Sequence, residues 1–351
     1  MSLASLQISG VRCIQAASLE FRPGLNLVFG ANGSGKTSIL ESAFLIGRGR
    51  SFRTRHTEQL IGRELDRLQL FGTTQHPAHR IGFEYRRDES YSGRLDGEDI
   101  RSLAELPGAF FVEVIDPEVH RLVEGAPGER RRWLDWGVFH VEPAFLETWV
   151  RFIRALKQRN ASLKQGLDPR PWDAELVLHG ESVARMREAW LQSVQPFWKA
   201  AVQRLSGLDV TMGYFRGWAA DRELGEVLEA GLERDRQRGS TLAGPQRADV
   251  QLKVQGRAAR EVLSRGQQKL VAAALVLALL QRLSGDPGTP PTLLLDDPAA
   301  ELDSQRLAAL VELVKDLRCQ LVVTSLHADL AIFGIPERAF HVERGVVTSM
   351  G

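Results

Sequence analysis

Gly30-Ala31-Asn32-Gly33-Ser34-Gly35-Lys36-Thr37 satisfies G-x-x-x-x-G-K-[ST], the spacing of a loop that wraps nucleotide phosphates. Its flanks have the periods such a loop requires. Gly24-Leu25-Asn26-Leu27-Val28-Phe29 alternates as a strand running into the loop, and Ser38 to Ile46 places apolar residues at helical spacing beyond it. The glycines let backbone N–H groups turn inward as an anion nest, and the N-terminus of the following helix adds its partial positive charge at the same point. Gly30, Ala31, Asn32, Gly33, Ser34, Gly35, Lys36, Thr37 and Ser38 are therefore the predicted nucleotide contacts. Lys36 is expected on the β/γ-phosphates as a catalytic group, and the Thr37 hydroxyl on Mg²⁺.

The chain has 351 residues, 43% hydrophobic and 25% charged, which is the composition of a soluble globular protein with a sizeable core. Its longest apolar run, Leu270 to Leu280, falls short of the ~18 residues of a membrane span. Met1 to Gln7 lacks the basic start and apolar core of a secretory signal, so a cytoplasmic location is expected. Cys13 and Cys319, each in an apolar strand-like setting, are expected as packed thiols of a reducing compartment. A net charge of +1 supplies no steering field, so any nucleic-acid surface must come from local clusters. Two clusters stand out. Arg48-Gly49-Arg50-Ser51-Phe52-Arg53-Thr54-Arg55 and Gly128-Glu129-Arg130-Arg131-Arg132-Trp133-Leu134-Asp135 each suit either a phosphate backbone or a solvated surface.

Composition divides the chain at 118/119 and 238/239. Residues 1–118 read as strands around the phosphate loop, with antiparallel pairs over 66 to 115 and a closing strand at Phe110 to Ile115. Residues 119–238 hold all seven tryptophans, between Trp133 and Trp218, in long helical runs such as Trp149 to Leu163 and Leu176 to Leu205. Residues 239–351 return to α/β character: a strand at Val250 to Val254, a strong helix over Leu270 to Leu283, a break at Gly285 to Pro291, a helix over Asp303 to Leu317 and a strand at Gln320 to Ser325.

Two segments of the last third carry chemistry. Thr292-Leu293-Leu294-Leu295-Asp296-Asp297 is a short buried strand ending in two acids. Parallel α/β sheets put their polar loops at the carboxyl ends of strands, so both acids are expected beside the phosphate loop. Asp296 would then hold Mg²⁺ through water, while Asp297 polarises the water that attacks the γ-phosphate. Ser264-Arg265-Gly266-Gln267-Gln268 opens the strong helix, with Ser264 as N-cap. By itself the segment suits an ordinary capped helix or a second anion site, and in the latter case a nucleotide gripped by the first loop meets it only if another polypeptide presents it.

With Glu301-Leu302-Asp303, these motifs resemble the ABC-type P-loop ATPase heads of the SMC superfamily. Within it the whole chain is most similar to the RecF family of bacterial recombination-repair proteins. Arg50 to Thr54 resembles that family's S-[FH]-R-T segment, Arg131 to Asp135 its R-R-x-L-D, Gly244 to Asp249 its G-P-H-R-x-D, and Phe340 to Gly345 its C-terminal end. The resemblance implies an α/β head, a mixed sheet with an antiparallel subdomain, split by an inserted helical arm. It implies an ATP-dependent, DNA-binding homodimer that works with RecR and RecO to place RecA on gapped DNA. Ser264, Arg265, Gly266 and Gln267 would engage the partner's γ-phosphate, and Asp303 would lie at the dimer seam. Slow hydrolysis is expected, because Asp297 is a methylene shorter than the Glu of faster heads. The sequence departs from the pattern at Gln246, where the family has His, at Pro298-Ala299-Ala300, which lacks a serine, and at Thr324-Ser325, where transporter heads carry the switch His. His327 falls two residues late, and Ile115-Asp116-Pro117 offers no glutamine loop. A transporter motor subunit would not need the tryptophan-rich arm, and a small-molecule kinase would not explain Ser264 to Gln268.

Overall fold

The computed structural model describes residues 2–88, 90–284, 291–328 and 331–350. Most of the break expected at Gly285 to Pro291 lies outside the described residues. In chain order the strands begin β1 (Ser2–Val11), β2 (Ile14–Glu20) and β3 (Leu25–Phe29), followed by helix α1 (Lys36–Arg48). Then come β4 (Arg67–Gln75), β5 (Arg80–Arg86), β6 (Tyr91–Leu95), β7 (Glu98–Asp99) and β8 (Val112–Ile115). The middle holds α2 (Pro127–Val141), α3 (Phe145–Lys164), α4 (Asp173–Ser206), β9 (Thr211–Phe215), β10 (Asp249–Val254), β11 (Arg257–Ala258) and α5 (Arg265–Ser284). The chain ends with β12 (Thr292–Leu295), α6 (Ser304–Asp316), β13 (Gln320–Ser325), β14 (Arg338–Glu343) and β15 (Val346–Met350).

Contacts separate the chain into two compact units, Met1–Val119 with Ser284–Gly351, and His120–Leu283. The first unit has two sheets. One is antiparallel, in the order β2-β1-β4-β5-β6-β7; the other runs β15-β14-β3-β13-β12-β8, parallel from β14 to β8 with β15 antiparallel at its edge. Phe110 to Ile115 thus does not extend the antiparallel set: β8 pairs with β12 in the parallel sheet, where its apolar side chains are covered. Helix α1 packs against strands of both sheets, and every residue from Ser38 to Gly47 is buried. That is why Ser38 to Ile46 is apolar round most of the helix rather than along one stripe. The register of β3 with β13, and of β13 with β12, carries the ends of all three strands to one edge.

The second unit is helical but is closed by the small sheet β11-β10-β9. It runs on to Leu283, past the compositional boundary at 238/239. The physical reason is local pairing: β10 is hydrogen-bonded to β9, and Trp133 Nε1 donates to Leu275 O at 3.1 Å, fastening α5 to α2. Arg159, fully buried on α3, donates to Asp173 at 2.7 Å and to Asp235 at 2.6 Å, so its charge is matched where water cannot reach it. Cys319 is largely buried, and burial pushes its thiol up to about 12. Cys13 departs from expectation. Arg12, with φ 52°, and Cys13 form the β1–β2 turn, and the thiol is exposed.

Candidate functional site

Strand β3 delivers the chain to Gly30, whose φ of +154° and setting exclude a side chain, since a Cβ there would lie 2.2 Å from Val342 O. Gly35, at φ +117°, is the N-cap of α1, and no side chain caps that helix end. A helix start leaves its first N–H groups without partners in the helix; Ser38 N is already turned to Gly35 O, so those of Lys36 and Thr37 are the ones offered to an anion. Ser34 is 5% exposed, and its Oγ has no hydrogen-bond partner. A buried hydroxyl in that state costs about 1–3 kcal/mol, which a phosphate oxygen would offset. Lys36 turns back over the loop, donating from Nζ to Gly30 O at 2.6 Å and Ala31 O at 3.0 Å. Burial holds its ammonium below the usual lysine range, against the opposing pull of Asp297 and then Asp296.

The two acids arrive from β12. Asp296 is buried, and Thr37 Oγ1 lies 3.0 and 3.1 Å from its two carboxylate oxygens. Asp297 sits in the left-handed region at φ 50°, ψ 51°, where a non-glycine residue is strained. Burial raises its carboxyl above the ordinary range; Lys36 opposes the shift, and Asp296 and Glu301 add to it. A carboxylate shifted this way accepts a proton more readily. Thr324, on β13 and fully buried, joins the pair: its Oγ1 donates to Asp296 Oδ1 at 2.9 Å and accepts from Asp297 N at 2.8 Å. Thr324 carries no motif of its own, and its position stands out in the sequence only for the histidine it lacks. The usable signal was its place at the end of the strand between β3 and β12.

Thr37 and Asp296 offer oxygen ligands suited to Mg²⁺. Among the described residues no cluster of three His, Cys, Asp or Glu side chains could hold a metal alone, so phosphate oxygens and water would complete the shell.

The remaining predicted residues make contacts of their own. Ser38, buried, begins the hydrogen bonding of α1, its N–H reaching Gly35 O at 3.0 Å, while Ala31, Asn32 and Gly33 are exposed on the loop. Ser264 to Gln267 belong to the second unit. There Ser264 and Gln267 form a reciprocal cap, Gln267 N to Ser264 Oγ at 3.3 Å and Ser264 N to Gln267 Oε1 at 3.0 Å, with Ser264 and Gly266 exposed. Arg265 donates to Nε2 of buried His120 at 3.1 Å. Asp303 caps α6, accepting from Arg306 N at 2.8 Å, and its side chain is exposed.

The arginine clusters resolve unevenly. Arg48 is inward, paired with Glu113 at 2.9 Å, and burial lowers its pKa to about 10. Ser51 bonds to buried Glu41, which also takes Arg12 Nε at 2.6 Å, so the loop is fastened to α1 while Arg50, Arg53 and Arg55 face outward. For Arg130 neither a phosphate contact nor a solvated stem describes the structure. It is buried, bonded in two places to Asp249 at 2.8 and 3.0 Å, and caps Gly125 O at 2.8 Å. Arg131 donates to Ala248 O at 2.7 Å, and Asp135 pairs with buried Arg187 at 2.7 Å, which also reaches Pro245 O at 2.7 Å. The R-R-x-L-D and G-P-Q-R-x-D segments are thus each other's structural partners. Gln246 belongs to the same turn, donating to Ala243 O at 2.9 Å.

Comparison with known proteins agrees with this architecture. The family model described as the RecF/RecN/SMC N terminal domain matches residues 2–343. A solved structure described as the recombination mediator protein RecF with ATP in the RecFOR pathway superimposes with a TM-score of 0.89 at 24% identity, covering 99% of this chain and 97% of that one. An Smc head bound to the C-winged helix domain of ScpA gives 0.59 at 15% identity, covering 100% and 98%. The DNA replication and repair protein RecF of Pseudomonas putida is 41% identical over 360 residues, covering 99% of this chain and 98% of the relative. With both its fold and its full length matched, the chain belongs to the RecF family of DNA replication and repair proteins.

Proposed function

We propose that the protein is an ATP-dependent DNA clamp acting in recombinational repair of gapped DNA: two copies close on two ATP molecules, and slow hydrolysis resets them. The observation that carries the reading is the convergence of Lys36, Thr37, Asp296 and Asp297 on one loop, with the Ser34 hydroxyl left for a phosphate. Mg²⁺ held beside Thr37 and Asp296 would neutralise charge on the β/γ-phosphates. Lys36 would exchange its loop carbonyls for phosphate oxygens, and Asp297 would take the proton of the attacking water.

The exposed cap at Ser264, with Arg265 and Gly266, supports engagement of a nucleotide carried by a second copy, with Asp303 at the seam. Partnership with RecR and RecO in loading RecA is part of the same reading and rests on family membership. Light scattering with and without ATP and Mg²⁺ tests it. ATP is expected to convert monomer to dimer, and Ser264→Arg to block that conversion while leaving ATP binding intact. A protein that stays monomeric with saturating ATP would overturn the clamp.

A further inference from the structure

Phe340 to Gly345 is a family-like segment that neither the phosphate chemistry nor the ion pairs of the second unit employ. It forms β14 and the turn into β15, and that turn abuts the phosphate loop: Gly345 N donates to Ser34 O at 2.8 Å. Strand β14 closes on the loop as well. Val342 O occupies the space of a Cβ on Gly30, at 2.2 Å, and Val342 Cγ1 would lie 3.7 Å from one on Gly35. The β1–β2 turn meets both the loop and this turn. Cys13 Sγ approaches Ser34 O at 3.9 Å and would lie 3.1 Å from a Cβ on Gly35, while Cys13 O would lie 2.1 Å from a Cβ on Gly345. Gly345 itself has φ +80°. Both its backbone and its surroundings therefore require glycine.

We infer that the C-terminal hairpin of β14 and β15 is a clasp that holds the phosphate loop in its binding conformation, with Gly345 as the positioning residue. The inference rests on the nucleotide reading above. A loop with left-handed glycines at Gly30, Gly33 and Gly35 has many conformations open to it, and holding one costs entropy. The bond from Gly345 ties the middle of the loop to a paired strand and engages the Ser34 carbonyl, an oxygen that would repel phosphate if it turned inward. If only a fraction of molecules holds the competent loop, the apparent dissociation constant rises by the inverse of that fraction. Saturating ligand restores the competent state, so turnover at saturation is preserved.

The test is Gly345→Ala, read by titration with a fluorescent ATP analogue, by steady-state ATP hydrolysis and by melting without nucleotide. Affinity is expected to fall at least about tenfold and KM to rise in step, with kcat at saturation within about twofold of wild type. Should that variant fail to fold, alkylation of the wild-type protein with N-ethylmaleimide serves instead. Exposed Cys13 reacts ahead of the less accessible Cys319, whose thiol burial pushes up, and the adduct wedges the same contact, so affinity falls. Treated and untreated Cys13→Ser protein are expected to bind alike. Wild-type affinity in a folded Gly345→Ala protein or in the alkylated protein overturns the clasp. An equal loss of kcat and affinity marks a general defect and overturns it too. Untreated wild-type protein that does not bind the analogue overturns the nucleotide reading beneath it.

Discussion

Thr324 and Asp296 share a 2.9 Å hydrogen bond at a point where both are buried, and the same hydroxyl holds the backbone N–H of Asp297. One side chain thereby sets the direction of the first carboxylate and the placement of the second, whose left-handed backbone would otherwise relax. Thr324→Val keeps the shape and removes both bonds. It is expected to lower kcat for ATP hydrolysis by about a hundredfold, the scale of a small misplacement of reacting groups. Thr324→Ser should restore most of the rate, and ATP affinity should change little in either variant.

Asp297→Asn separates chemistry from stability. Removing the proposed proton acceptor is expected to slow hydrolysis by at least about a hundredfold. Because burial raises this carboxyl, the native state holds its proton more tightly than the unfolded chain does. Its contribution is favourable at pH below about 3.8, the ordinary value, and is lost as pH rises through the raised native pKa. At neutral pH Asp297 therefore opposes folding, and the neutral Asn, which tolerates left-handed backbone, should raise the melting temperature of the nucleotide-free protein. The difference should shrink in mild acid, as differential scanning fluorimetry across pH will show.

The Arg130–Asp249 pair predicts a local defect. Arg130→Ala leaves a partly buried carboxylate and several carbonyls without their donor, at a cost of about 3 kcal/mol. All seven tryptophans lie between Trp133 and Trp218, within the second unit, so tryptophan fluorescence in urea reports that unit alone. Its transition should move to lower urea, while ATP affinity, which the proposed site assigns to the first unit, stays near wild type.

Duplex DNA should bind through its backbone. Arg53 and Arg55 face outward from a loop fastened at Ser51, and the net charge of +1 adds no long-range field. In the presence of ATP, affinity should fall steeply between low and moderate salt and be indifferent to sequence. Arg53→Ala combined with Arg55→Ala should flatten the salt slope by about two units, measured by fluorescence anisotropy.

The phosphate loop, the buried acid-ended strand and the capped helix at Ser264 are legible in the chain itself, because each is a local pattern whose residue types and spacing carry the geometry. Gly-x-x-x-x-Gly-Lys-Thr between a strand and a helix has the spacing of an anion nest, and three leucines before two acids read as the buried strand that β12 is. The long helices and the tryptophan-rich arm were likewise written in periodicity. The acids after β12 were expected beside the phosphate loop and Thr37 meets Asp296 there, but other relations made across sequence distance were hidden by the chain order. Thr324 acts through Asp296, Gly345 through Ser34 and Arg130 through Asp249, and each looks ordinary among its own neighbours. Exposure was hidden for the same reason: Cys13 sits in an apolar stretch yet turns outward, while Arg130 sits in a charged one and is buried. Local sequence determines which conformations a segment can adopt. Which partner then meets it, and whether water is excluded there, is decided when the sheets close, since that depends on the whole chain at once.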